Sequence, residues 1–185
     1  MKSYLYAYNG VNFREVRSDK STRALSIIDY VHHEIHAGSH FRVVDYTDLS
    51  SGASIEFLFT APDSDKEIHF FFEISTEAEA EYLFVEDAVI AGSGTTVTTI
   101  NSNRNSTKTA SLNLFHTPVD VTISGTTLAK SRLGAGRKVG GSDRNDDEII
   151  LKRNSKNYLR IMEKAGSANL IGWSFSWYEH TPKED

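Results

Sequence analysis

Four of the chain's seven histidines fall within nine residues of the stretch Tyr30-Val-His-His-Glu-Ile-His-Ala-Gly-Ser-His-Phe41. Neutral imidazoles are common metal ligands. On a helix, His32, His36 and His40 would stand at i, i+4 and i+8 and share one face, a spacing able to hold a transition metal. The zinc-protease pattern H-E-x-x-H is not met, because His33-Glu34-Ile35-His36 is one residue short. Gly38-Ser39 is also expected to end a helix before His40. The tract therefore reads as polar packing and backbone hydrogen bonding at the entry to the first strand. His32, His36 and His40 remain weak metal candidates, and no cofactor is expected.

Other chemistry finds less footing. The glycine-rich segment Gly134-Ala-Gly136-Arg-Lys-Val-Gly140 matches neither phosphate-cradling pattern, G-x-x-x-x-G-K-[ST] or G-x-G-x-x-G. It reads as a surface loop whose basic side chains Arg132, Arg137, Lys138 and Arg144 suit an acidic protein partner. Arg104, in the polar run Ile100-Asn-Ser-Asn-Arg-Asn-Ser-Thr107, is a further contact candidate. No Ser, His and acid form a recognisable nucleophile motif. Neighbouring acids such as Asp146 with Asp147, or Glu86 with Asp87, would point to opposite faces of a strand. The chain has no cysteine, which excludes disulfides and thiolate chemistry. The expectation is a protein without catalytic residues.

The elements that would position these residues are mostly strands. Runs at 41–47, 54–60 and 67–74 alternate with Ser/Gly and Pro/Asp turns. Residues 82–91 suggest one more strand, followed by candidates at 95–100, 107–115 and 119–123. Short strands follow at 148–152 and 157–162. The last, Leu170-Ile-Gly-Trp-Ser-Phe-Ser-Trp-Tyr178, places Trp173, Phe175 and Trp177 on one face and Ser174, Ser176 and Tyr178 on the other. Its aromatic row reads as core. Residues 131–145 read as one long loop. Residues 21–31 fit a short amphipathic helix whose apolar face runs through Leu25, Ile28, Val31 and Ile35, and fit an extended segment almost as well.

The 185 residues, 39% hydrophobic, suffice for one well-packed domain. The spacing of turns predicts an all-β, jelly-roll-like sandwich of about 8–10 antiparallel strands over residues 41–185. Residues 1–40 form an N-terminal arm or short helix. The formal charge of -5 argues against a nucleic-acid binder, and no apolar run reaches the roughly 20 residues that cross a bilayer. Charge is segregated. Residues 56–87 hold ten acids against Lys66, and residues 101–144 hold seven basic groups against Asp120 and Asp143. Such runs are either solvated loops or complementary patches that orient copies or partners.

The blocks Ser21-Thr-Arg-Ala-Leu25, the histidine tract, Asn101-Ser-Asn-Arg-Asn-Ser-Thr107, Glu148-Ile-Ile-Leu-Lys152 and Trp177-Tyr-Glu-His180, taken in order with the glycine-rich segment, resemble a family of small virion proteins of tailed bacteriophages. The resemblance implies a β-rich cement or decoration protein on the capsid exterior, assembled in the host cytoplasm. Its expected partners are the major capsid protein and its own copies, as a dimer or trimer. It transfers no catalytic residue. An alternative within the particle is a head-fibre or tail-associated adhesin binding host glycans. A metal-dependent enzyme at the histidine tract is the third reading.

Overall fold

A computed structural model describes residues 6–8, 13–15, 30–134 and 141–182. The chain divides into two compact units, Met1–His33 and Glu34–Asp185. In the first, β1 (Tyr6–Tyr8) and β2 (Phe13–Glu15) pair as an antiparallel ribbon. The helix considered for residues 21–31 falls almost wholly outside the described residues. Helix α1 is Tyr30–Ala37.

The second unit contains thirteen described strands. They are β3 (His40–Leu49), β4 (Ser54–Thr60), β5 (Glu67–Thr76), β6 (Ala80–Glu86), β7 (Val89–Gly92), β8 (Thr95–Thr96) and β9 (Ile100–Asn101), then β10 (Asn113–His116), β11 (Val119–Thr122), β12 (Thr126–Leu133), β13 (Gly141–Leu151), β14 (Lys156–Glu163) and β15 (Asn169–His180). One sheet runs β13-β5-β15-β3-β9 and the other β12-β6-β14-β4-β10-β8. All pairings are antiparallel.

Eight long strands carry the topology. β3 pairs with β15, β4 with β14, β5 with β13 and β6 with β12. These are the rungs of one long hairpin, first strand to last and inward from there. The hairpin is wrapped so that β15 also pairs with β5, and β14 with β6. That double wrap is a jelly roll, an arrangement that sets two antiparallel sheets face to face.

The interior is aromatic. Phe57 and Phe59 of β4 meet Phe70 of β5 and Trp173 and Phe175 of β15, with ring centroids 4.8 to 5.2 Å apart across the two sheets. Trp177 and Phe175 are fully buried and Trp173 is 7% exposed, so the aromatic row of the last strand is core. A second cluster lies on the outer face of the six-stranded sheet. There Leu58, Val85 and Tyr158 are covered by Ala88 and Ile90, with Val121 packed alongside. β7 and β11 form their own two-stranded ribbon over this face and make a local third layer.

Four sequence expectations shift. The strand drawn through 82–91 breaks at Asp87, where φ is +58° and the chain leaves one sheet for the covering ribbon. The strand at 95–100 contracts to the two short pieces β8 and β9. The strand at 107–115 contracts to β10, because the backbone N–H groups of Ser111 and Leu112 donate to the Glu179 carboxylate instead of a ladder. The long loop expected at 131–145 has strand at both ends, at 131–133 and 141–145, among its described residues. β12 runs to Leu133, Gly134 turns out of it with φ +72°, and β13 begins at Gly141.

Candidate functional site

The histidine tract is split by Gly38. α1 ends at Ala37 and His40 opens β3, so His32, His36 and His40 do not form one helical column. His32 and His36 are exposed on α1, whereas the buried His40 ring lies 2.7 Å from the Ser102 hydroxyl through Nδ1. Burial, and then the Arg42 charge, hold the His40 pKa below its ordinary value. The polar loop at 101–108 closes the helix end. Asn103 Nδ2 donates to the His36 carbonyl at 3.1 Å, Lys108 Nζ to Ala37 at 2.8 Å and Asn101 Nδ2 to Gly38 at 2.9 Å. These satisfy carbonyls that a helix C-terminus leaves open and place a cation at its negative pole.

Gly38 is fixed here for two reasons. Its φ is +71°, and a Cβ would stand 2.3 Å from Ser106 Oγ. Gly38→Ala is therefore expected to cost at least about 1–2 kcal/mol from the backbone alone. Urea unfolding checks it; an unchanged midpoint would disprove the role.

The basic candidates disperse. Arg132, on β12, is exposed, with its guanidinium 3.4 Å from Glu79 and 3.7 Å from Glu81; Lys130 lies 3.9 Å from Glu81. The acidic and basic runs therefore partly neutralise each other across β6 and β12. Arg104 is exposed in the loop that caps α1. Arg137 and Lys138 lie outside the described residues, and the Arg144 backbone pairs with Glu73.

Chemistry-bearing side chains converge elsewhere, at one end of the outer face of the five-stranded sheet. The period of two points Glu67 and His69 of β5 outward while Ile68 and Phe70 point in. On β15 it points Tyr178 and His180 outward while Trp177 and Glu179 point in. Register sets Tyr178 opposite both His69 and His40, and His180 opposite Glu67. The His69 and Tyr178 rings stack at 4.4 Å and 10°. A register irregularity in β13 between Asn145 and Ile149 brings Glu148 to the same place. Glu148 Oε1 accepts from the Tyr178 hydroxyl at 2.7 Å and bonds His69 Nδ1. Burial raises the Glu148 pKa, but these two hydrogen bonds and the charges of His69 and His180 together bring it below the ordinary value. Glu67, His69 and His180 place one ligand atom each within 4.8 Å of one another.

Sequence reasoning passed over this group. Its histidines are isolated in the chain, and the two that touch are 111 residues apart. The available signal was the i, i+2 spacing of Glu67 with His69 and of Tyr178 with His180, which on a strand assigns each pair to one face.

A second feature lies along β3. Beyond Arg42, the side of β3 away from β15 has no strand partner among the described residues. Val44 is 61% and Tyr46 69% exposed there. Beside them runs an open groove of about 320 Å³, lined by Val43, Ile55, Val97, His116 and Trp173 among others. The Trp173 indole N–H is buried with no hydrogen-bond partner among the described residues. Because Trp173 and Trp177 are buried, they offer no stacking platform for a sugar.

No protein-family model, curated protein or solved structure matches the chain.

Proposed function

We propose that the chain is a structural protein of a tailed-bacteriophage particle, a cement or decoration protein that binds the outer surface of the major capsid protein lattice and stabilises the head. The observation that carries this reading is the side of β3 that has no strand partner beyond Arg42 among the described residues. A strand edge with free N–H and C=O groups is a template for pairing with another chain. An extended segment laid along it would gain main-chain hydrogen bonds, with side-chain pockets adding specificity. Here the exposed Val44 and Tyr46 flank that edge, and the groove lined by Val43, Ile55, Val97 and Trp173 would receive one side of the incoming strand.

The occupant in this reading is an extended segment of the major capsid protein. The jelly roll supports it by supplying a rigid platform, and the resemblance of the sequence blocks to phage virion proteins is the ground for choosing this partner. One short added strand binds weakly, but repeated over a lattice such contacts add through multivalency. The virion location and self-association belong to the same proposal.

The test mixes purified protein with expanded, undecorated capsids and images them. Regular surface density is expected, and its absence would overturn the assignment. Val44→Lys with Tyr46→Lys, two exposed changes, is expected to weaken decoration at least about tenfold, since charges on an edge oppose strand addition. Unchanged decoration by that variant would remove the β3 edge from the contact. Loss of a dimer in sedimentation, with decoration intact, would assign the edge to a second copy instead.

A further inference from the structure

The rings of His69 and His180 meet nitrogen to nitrogen. Their Nε2 atoms are 2.8 Å apart while the centroids are 4.7 Å apart, so the nitrogens are the facing edges. In each ring the other nitrogen already faces a group that only accepts. His69 Nδ1 bonds the Glu148 carboxylate, and His180 Nδ1 lies 2.9 Å from the Thr181 carbonyl oxygen. Neither acceptor has a proton to give, so each Nδ1 carries a hydrogen, and the two Nε2 atoms face each other at a distance that a cation, either a proton or a metal ion, must bridge.

We propose that Glu67, His69 and His180 bind one divalent transition-metal ion of the zinc class on the outer face of the five-stranded sheet. The donor set is two imidazole nitrogens and one carboxylate, which suits such an ion and leaves a fourth position for water. Glu67 Oε2 lies 3.8 Å from His69 Nε2. Behind the ligands stands the support that metal-binding histidines ordinarily have, a carboxylate or carbonyl on the far ring nitrogen. For His69 that support is Glu148, itself held by the Tyr178 hydroxyl. Two nitrogens on one tetrahedral ion at about 2.0–2.1 Å stand about 3.3 Å apart, so binding spreads the rings by about half an ångström. His180 also lines an open groove of about 470 Å³ with Thr181 and Lys66, which gives the ion a path from solvent.

The ion would fasten the end of β15 to the start of β5. Its site stands whether or not the chain belongs to a phage head. Chelator-treated protein titrated with Zn²⁺ by calorimetry is expected to bind one ion per chain with micromolar or tighter affinity. With Co²⁺ it is expected to show visible d–d absorption of a low-symmetry site. His180→Ala and Glu67→Gln, both at partly exposed positions, are expected to weaken binding at least about tenfold, and Glu148→Gln about 10–100-fold through His69. Zn²⁺ is expected to raise the melting temperature of the native protein and not of His180→Ala. His32→Ala with His36→Ala is expected to leave the affinity unchanged. Equal affinity of His180→Ala and the native protein would overturn the site. So would weak binding by the native protein together with a ¹⁵N imidazole spectrum showing one proton shared between His69 and His180, because the cation is then a proton.

Discussion

Replacing Glu179 with alanine is expected to destabilise the protein by about 3–5 kcal/mol, the range for removing one partner of a buried charged network. The carboxylate is 4% exposed yet fully employed. It accepts from the Ser111 N–H at 2.8 Å, the Ser111 hydroxyl at 2.6 Å, the Leu112 N–H at 3.1 Å and the Trp177 indole N–H at 3.1 Å. Lys66 Nζ stands 3.8 Å away at the rim. The stretch before β10 belongs to no sheet, so this carboxylate stands in for the ladder that the stretch lacks. Alanine leaves those donors without an acceptor and removes the tie between that stretch and β15. Glu179→Gln keeps one acceptor oxygen but turns an amide donor toward other donors, and is expected to cost about 1.5–3 kcal/mol, the scale of a hydrogen bond to a charged group. Urea unfolding of the three proteins measures both. A loss below about 1 kcal/mol in the alanine variant would contradict the anchoring role.

The second large effect is expected at Phe175. Its ring is fully buried and meets Phe57 at 4.9 Å, Phe59 at 5.1 Å and Phe70 at 6.2 Å. Two of those partners belong to the opposite sheet, so the ring is part of what holds the layers together. Phe175→Ala removes a large apolar volume from a site walled by rigid aromatics that collapse poorly, and about 3–5 kcal/mol is expected. Phe175→Leu keeps most of the volume and should cost less than half as much. Equal losses for the two would mean that the space around the ring relaxes freely.

The strands that proved readable share one property. β4, β5 and β15 each bury a row of apolar side chains against the opposite sheet. In β5 and β15 that row writes a period of two into the sequence, whereas β4 also buries Leu58 on its outer face and reads as a short apolar run. β12 and the start of β13 were hidden because β12 is polar and largely exposed, and glycines surround its end. Asp87 carried no warning either, since a non-glycine residue at positive φ has no sequence signature beyond the mild tolerance of Asp for that region. Glu179 was closer to legible. It continues the inward phase of Trp173, Phe175 and Trp177, and an acid in that phase must meet donors. The histidines show the reverse error. Local density drew notice to His32, His36 and His40, while His69 and His180 meet only because β5 and β15 pair.

The nested pairing of the eight long strands also orders events in time. Of the sandwich strands β3 is synthesised first, but its full-length neighbour is β15, the last of them to leave the ribosome. Distant pairings of this kind are slow to form. Among the eight long strands the innermost pair, β6 with β12, can close first, and closure would then proceed outward through β5 with β13 and β4 with β14. During that interval the apolar side of β3 has no permanent cover and is prone to self-association. A newborn chain would therefore depend on a chaperone, or on rapid completion, for as long as β3 waits for β15.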